Sequence, residues 1–331
     1  MQSITGVSAT DTDPADAAPI GGSTGRLGDR LFGGAATSSG VIVIALVTLI
    51  GVFLLSQAIP ALSKNGANFL TSTEWTVSGS EPRFGIARLL LVTVLSSLVA
   101  LLLAVPVGVA VALFITNYAP AWLAKPAAST IDLLAAVPSI IYGLWGLKVF
   151  GPRTAGLQDF LRENLGWFPL FKTTTVSSFT TIFLASIVLA IMILPIITAL
   201  SREVFAQTPT PHKEGALALG ATKWEMIRTA VLPFGKPGVI SAAMLGLGRA
   251  LGETVAVMIL ISTLAAGTPM SISLFDGGET FASKIALGSG EFDTPQKTGA
   301  YIAAGLVLFI LTFIVNAIAR IVIERRKAFT E

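Results

Sequence analysis

Six apolar runs alternate with polar segments along the 331 residues of this chain. They are Val41–Ile59, Leu89–Ile115, Ala127–Phe150, Thr180–Leu200, Val239–Ala266 and Ala300–Ile323. A hydrocarbon core about 30 Å thick is crossed by about 20 helical residues, so each run is long enough to span. Backbone in lipid must satisfy its own hydrogen bonds, which makes the helix the spanning form for such runs. The pattern predicts an all-α integral membrane protein with six transmembrane helices.

The same pattern divides the chain. Residues 1–40 are small, polar and partly acidic (Asp11, Asp13, Asp16), bury little, and read as a disordered cytoplasmic tail. Residues 41–63 form the first transmembrane helix, and 64–88 an outer loop turned by Gly66, Gly79 and Pro82, with Phe69 and Trp75 resting at the interface. Residues 89–323 are the membrane core, and 324–331 a cytoplasmic C-terminal tail. Within the core, Pro106 and Gly108 are candidate kink residues, and Asp132 sits near the cytoplasmic end of its run. Residues 151–178 mix charges with Phe and Trp, as a short amphipathic helix on the membrane does.

Composition agrees: 53% of residues are hydrophobic, 12% are charged and the mean hydropathy is +0.78, whereas about a quarter of a soluble domain is charged. The net charge of +3 is spread over segments flanking the runs, which fits membrane orientation rather than nucleic-acid binding. Arg320 and Arg325-Arg326-Lys327 put the C-terminus on the cytoplasmic side, and an even number of spans puts the N-terminus there too. The absence of cysteine excludes disulfides and thiol chemistry. His212, the only histidine, builds no metal site by itself, and Gly235-Lys236 lacks the upstream glycine of a phosphate-binding loop, so no ATP site is present.

Two charges interrupt the fifth run, in Gly248-Arg-Ala-Leu-Gly-Glu253. Counting from Val239 at ~1.5 Å per residue, Arg249 lies roughly 16 Å into a slab of about 30 Å. An ionisable group at that depth costs at least ~2.5 kcal/mol, so it faces protein, pairs, or lines a watered path. As neighbours one turn apart in a continuous helix, Arg249 and Glu253 share a face, and Gly248 and Gly252 make a small-xxx-small pair that admits another helix. The competing reading is a structural ion pair that only fixes helix packing.

The loop between the fourth and fifth runs carries its own folding signals. Thr210-Pro211 starts a helix, Gly220 ends it in the left-handed conformation, and Thr222 with Glu225 forms a capping box for a second helix running towards Pro233. The product is a cytoplasmic helix-turn-helix within residues 202–236. The last outer loop, 267–296, carries Asp276, Glu279, Glu291 and Asp293, either as a docking surface or as a plain solvated loop.

Glu214, Ala216, Gly220 and Leu232-Pro233 resemble the EAA motif of type I ABC-importer permeases, with Gly215 and Ala230 departing from the usual pattern. Gly246–Val257 and Val137–Gly146 resemble the PstC-type permeases of phosphate-specific ABC importers. The resemblance covers the second to the sixth run. It implies the type I importer permease fold, with six transmembrane helices and a cytoplasmic coupling helix-turn-helix, in the plasma membrane of a prokaryote. It also implies a second, PstA-like permease, two copies of an ATP-binding subunit carrying ATP and Mg, and an extracytoplasmic phosphate-binding protein. This chain itself would hold no cofactor and catalyse no reaction. By the same resemblance Arg249 and Glu253 are required for phosphate passage, and the coupling residues Glu214, Ala216, Gly220, Leu232 and Pro233 dock the ATPase. The chemistry agrees: a guanidinium offers paired donors to a phosphate, and a carboxylate can accept the proton of hydrogen phosphate, which sulfate lacks. Another oxyanion as cargo, or a phosphate-signalling membrane scaffold, are the alternatives.

Overall fold

The computed structural model describes residues 26–79, 81–172 and 179–327. By its internal contacts the chain divides into residues 1–52 and residues 53–331. Helix α1, Arg26–Ser63, runs from the first unit into the second. Residues 26–40, expected in a disordered tail, are therefore helical, because the apolar run nucleates a helix and no proline stops its propagation back to Arg26. The rest of the expected tail, 1–25, lies outside the described residues.

After α1, the loop expected at 64–88 is folded rather than open. Strands β1, Trp75–Thr76, and β2, Arg83–Phe84, pair antiparallel with Trp75 opposite Phe84. Asn65 ties the loop by donating to the Phe84 carbonyl at 2.7 Å and accepting its N–H at 3.0 Å. Trp75 packs on Phe84 and Tyr301, at ring separations of 5.8 and 5.3 Å, and Phe69 packs on Phe84 at 5.9 Å. Their aromatic faces fill the loop's own small core.

The centre of the unit formed by residues 53–331 is a pair of spans. Helix α2, Ala87–Leu113, continues through a π turn to Tyr118 and packs on α6, Ile182–Ala206. Ala100 and Ala104 of α2 meet Val188, Leu189, Ile193 and Ile197 of α6 in one buried cluster. Between helices in lipid there is little hydrophobic gain, so close van der Waals fit carries the packing. Gly108 illustrates it: a Cβ there would lie 3.0 Å from Ile197 and 3.2 Å from the Thr198 hydroxyl, and α2 remains one helix through Pro106.

The third expected span is broken. Helix α3, Ala121–Ala135, ends before Pro138, and α4, Ser139–Trp145, leads through a π turn into α5, Gly151–Leu165, at 92° to α3. Proline removes an amide and disfavours helical conformation in the residue before it, which turns the chain at Ala136–Val137. Tyr142 donates to the Leu134 carbonyl at 3.0 Å, which the Val137 N–H also bonds at 3.3 Å, so the turn is tied to α4. Among the described residues five helices are thus long and apolar enough to span, or six with the bent pair counted as one. Asp132 of α3 pairs with Arg202 of α6 at 3.4 Å. The amphipathic segment expected at 151–178 contains α5 and a short 3-10 turn at Pro169–Phe171, while 173–178 lie outside the described residues.

Three helices follow α6: α7, Thr210–Ala218, α8, Lys223–Met226, and α9, Leu232–Leu251. Two short helices follow, α10, Val255–Leu260, and α11, Phe281–Leu287. The last, α12, Pro295–Lys327, takes in residues 324–327 of the expected C-terminal tail, and 328–331 lie outside the described residues.

Candidate translocation site and coupling turn

The fifth apolar run is not one helix. α9 stops at Leu251, where the Glu253 N–H bonds the Ala250 carbonyl at 3.4 Å, and the bond that the Ala256 amide would donate to the Gly252 carbonyl is replaced by two side-chain bonds. The Thr254 hydroxyl donates to the Gly252 carbonyl at 3.1 Å, and the Glu253 carboxylate accepts the Ala256 N–H at 3.2 Å. Glycine at 252, with little preference for helix, lets the chain turn there. α10 then begins afresh and ends by Ile261, whose backbone is extended. The expectation of a continuous helix to Ala266 fails for this reason: polar side chains next to a glycine compete for main-chain groups.

The break separates the two charges. Glu253 is buried at 9% exposure and caps α10, whereas Arg249 stands on the exposed face of α9 with Gly248. They were expected on one helical face, and the end of α9 between them removes that register. The ion pairs among the described residues include neither. Gly248 has nothing within 4 Å of an added Cβ, and Gly252 is exposed. Among the described residues no other helix comes within 4 Å of a Cβ placed on Gly248 or Gly252.

Arg249 opens into a cleft of about 810 Å³ between α9 and α12, shared with Ser241, Asn316 and Arg320. Arg320 is taken up by Glu324 at 2.9 Å, so Arg249 is the cation in that cleft with no carboxylate partner among the described residues. Ser241 and Asn316 were not singled out from the sequence; Asn316, an amide inside a long apolar run, was the available signal.

Behind the break, two interrupted segments pack together through glycine. A Cβ on Gly143 of α4 would sit 3.0 Å from the Ala256 Cα, and one on Gly146 would sit 2.8 Å from Leu260. Beyond α10, Ser262 donates its amide to the Thr180 carbonyl at 3.0 Å, and its hydroxyl bonds that of Thr180. Ile182 and Phe183 donate to the Asp276 and Leu274 carbonyls at 2.9 and 2.7 Å. The acidic segment at 267–296, expected as either a docking surface or a solvated loop, is in part a plug stitched onto the start of α6, with Asp276 only 3% exposed. Its other acids are engaged as well: Glu279 with Lys284, Glu291 with Tyr301 and Asp293 with Lys297.

At the opposite end of α6 lies the turn predicted from local signals. α7 ends in a Schellman motif: the Ala221 N–H bonds the Ala216 carbonyl at 3.2 Å and the Gly220 N–H bonds the Leu217 carbonyl at 2.9 Å. Gly220 has φ +84°, where a side chain is strained. Thr222 and Glu225 then make the full capping box. The second helix does not end at Pro233. A π turn over Ile227–Val231 absorbs the missing proline amide, with the Leu232 N–H bonding the Ile227 carbonyl, so Leu232 and Pro233 open α9 and the chain runs on to Leu251. Glu214 is exposed, as are Leu219 at 91% and Trp224 at 55%.

The chain thus pairs a broken apolar run, which carries an arginine without a carboxylate partner among the described residues, with a helix-turn-helix between two candidate spans. Residues 104–328 match the family described as binding-protein-dependent transport system inner membrane component, and the chain belongs to that family. It is 55% identical over 298 residues to the phosphate transport system permease protein PstC 2 of Mycobacterium tuberculosis, covering 89% of this chain and 91% of that one. Identity to the PstC of Mycobacterium leprae is 54% over 306 residues, 92% of this chain and 95% of that one. To the PstC of Haemophilus influenzae it is 36% over 300 residues, 90% and 93% of the two chains. The resemblance to PstC-type permeases drawn from the motifs is thereby borne out. The inward-facing MetNI methionine ABC transporter has the same fold, with a TM-score of 0.51 at 16% identity over 73% of this chain and 95% of that one.

Proposed function

We propose that this chain is one permease subunit of an ATP-driven importer of inorganic phosphate. The observation that carries the proposal is Arg249, a cation with no carboxylate partner among the described residues, on the exposed face of α9 one turn before the break. A PstA-like second permease would cover that face, and its helix would meet Gly248 and Gly252. The arginine would then lie between the two subunits, in a low-dielectric path where a guanidinium attracts an oxyanion and binds it through paired donors. Glu253 would tune the site from behind the break. One of its oxygens is committed to Ala256, which leaves the other to accept the proton of hydrogen phosphate.

An extracytoplasmic phosphate-binding protein would deliver the ion. Two ATP-binding subunits, holding ATP and Mg, would supply energy through Glu214, Leu219 and Trp224 around the Gly220 turn. The turn is joined without interruption to α9, so a push at Lys223 reaches Arg249 within the 29-residue helical segment Lys223–Leu251. Both termini would face the cytoplasm, with the coupling turn.

The test is uptake of radiolabelled phosphate by cells whose phosphate supply depends on this chain, with sulfate as competitor. Uptake that sulfate fails to inhibit supports the proposal. Competition by sulfate would reassign the cargo to oxyanions in general. Intact phosphate signalling without uptake would favour a signalling scaffold.

A further inference from the structure

A second cavity, of about 210 Å³, lies at the end of the molecule opposite the coupling turn. Four separate stretches wall it: residues 73–76, 85–89, 263–267 and 278–284. The walls are tightly set. A Cβ on Gly85 would lie 2.3 Å from the Ser72 carbonyl oxygen, and one on Gly278 would lie 2.7 Å from Val92. The volume is several times the ~30 Å³ that a water molecule occupies, enough for a small hydrated anion.

Its charges are arranged unevenly. Glu74 is held by Arg83 at 2.8 Å, and Glu279 by Lys284 at 2.8 Å, with the Lys284 ammonium 5.5 Å from the centre of the Trp75 ring. Both carboxylates in the wall are thus neutralised. Arg88 has no carboxylate partner among the described residues, and one of its five donors is fixed by the Thr268 main-chain carbonyl. It also sits in the first turn of α2, where the helix dipole adds positive potential. The wall at 263–267 continues back through α10, about 9 Å long, to the residue that Glu253 caps.

We propose that this cavity is a second oxyanion subsite, in which Arg88 receives a tetrahedral inorganic oxyanion before it reaches Arg249. The subsite rests on the phosphate-import function proposed above. Arg88 holds the ion by charge-assisted hydrogen bonds from its remaining donors, while the paired Glu74 and Glu279 keep the site from becoming a trap.

The test uses the assembled importer in proteoliposomes, with Arg88→Gln and Arg88→Lys beside wild type. Radiolabelled phosphate uptake and ATP hydrolysis are measured against the concentration of phosphate-loaded binding protein. The expected result for Arg88→Gln is maximal uptake lower by about tenfold, the loss of one charge-assisted contact, with ATPase stimulation and half-saturation unchanged. Arg88→Lys is expected to recover part of the uptake. Unchanged uptake overturns the subsite. A shift in half-saturation alone assigns Arg88 to docking the binding protein and also overturns it. Loss of assembly in both variants assigns Arg88 to holding the Thr268 loop, with the same consequence. A wild-type complex that hydrolyses ATP but carries no phosphate removes the import function itself, a failure separate from these.

Discussion

The Glu253 carboxylate accepts the Ala256 amide at 3.2 Å, so the acid starts a new helix instead of pairing with the arginine one turn earlier. A cap of this kind contributes about 0.5–2 kcal/mol. Glutamine keeps an acceptor oxygen in the same position and alanine does not. We therefore expect Glu253→Gln to assemble with wild-type thermal stability and Glu253→Ala to melt earlier in a thermal-shift assay of the purified complex. Equal destabilisation by both would mean that the negative charge, not the hydrogen bond, holds the break. If Glu253→Gln is stable but slow in transport, the carboxylate also handles the proton of the cargo.

The glycines behind the break set a second expectation. Gly143 and Gly146 let α4 and α10 approach so closely that an added side chain meets main chain or Leu260. Overpacking costs about 1–3 kcal/mol. Gly143→Val should lower the amount of assembled complex in the membrane, whereas Gly156→Ala, which meets nothing within 4 Å, should not. Normal assembly of Gly143→Val would show that the two segments can part at little cost.

At the coupling turn, Gly220 has φ +84°, and a side chain in the left-handed region costs roughly 1–2 kcal/mol. Gly220→Ala should leave the spans intact but loosen the turn, which raises the ATP hydrolysed per phosphate imported. Gly220→Asn should be milder, since asparagine tolerates this conformation. An unchanged ratio in Gly220→Ala would remove the turn from the coupling path.

Local rules made the coupling turn legible because all of its determinants lie within a few residues. The proline at the first turn of α7, the left-handed glycine and the capping box act over one or two helical turns, and each is found in its expected role. The spans were legible as lengths of apolar sequence. Their interruptions were not, although Pro138 and Gly252 mark both, because a membrane run is judged by average hydropathy and a break needs only one or two residues. The Arg249–Glu253 register failed with the helix that it assumed. The plug at 262–280 was hidden for another reason. Its bonds to Thr180, Ile182 and Phe183 join residues about 80 to 95 positions apart, and main-chain pairing at that range leaves no local mark.

The central claim is that an oxyanion passes Arg249. Its most direct test is the uptake of radiolabelled phosphate at equal membrane abundance by wild type, Arg249→Gln and Arg249→Lys, with ATP hydrolysis measured in parallel. We predict that Arg249→Gln loses uptake while the complex still assembles and hydrolyses ATP. Arg249→Lys, which keeps the charge without the paired donors, should retain a fraction of uptake. Wild-type uptake in Arg249→Gln would contradict the account and reduce the arginine to a packing residue.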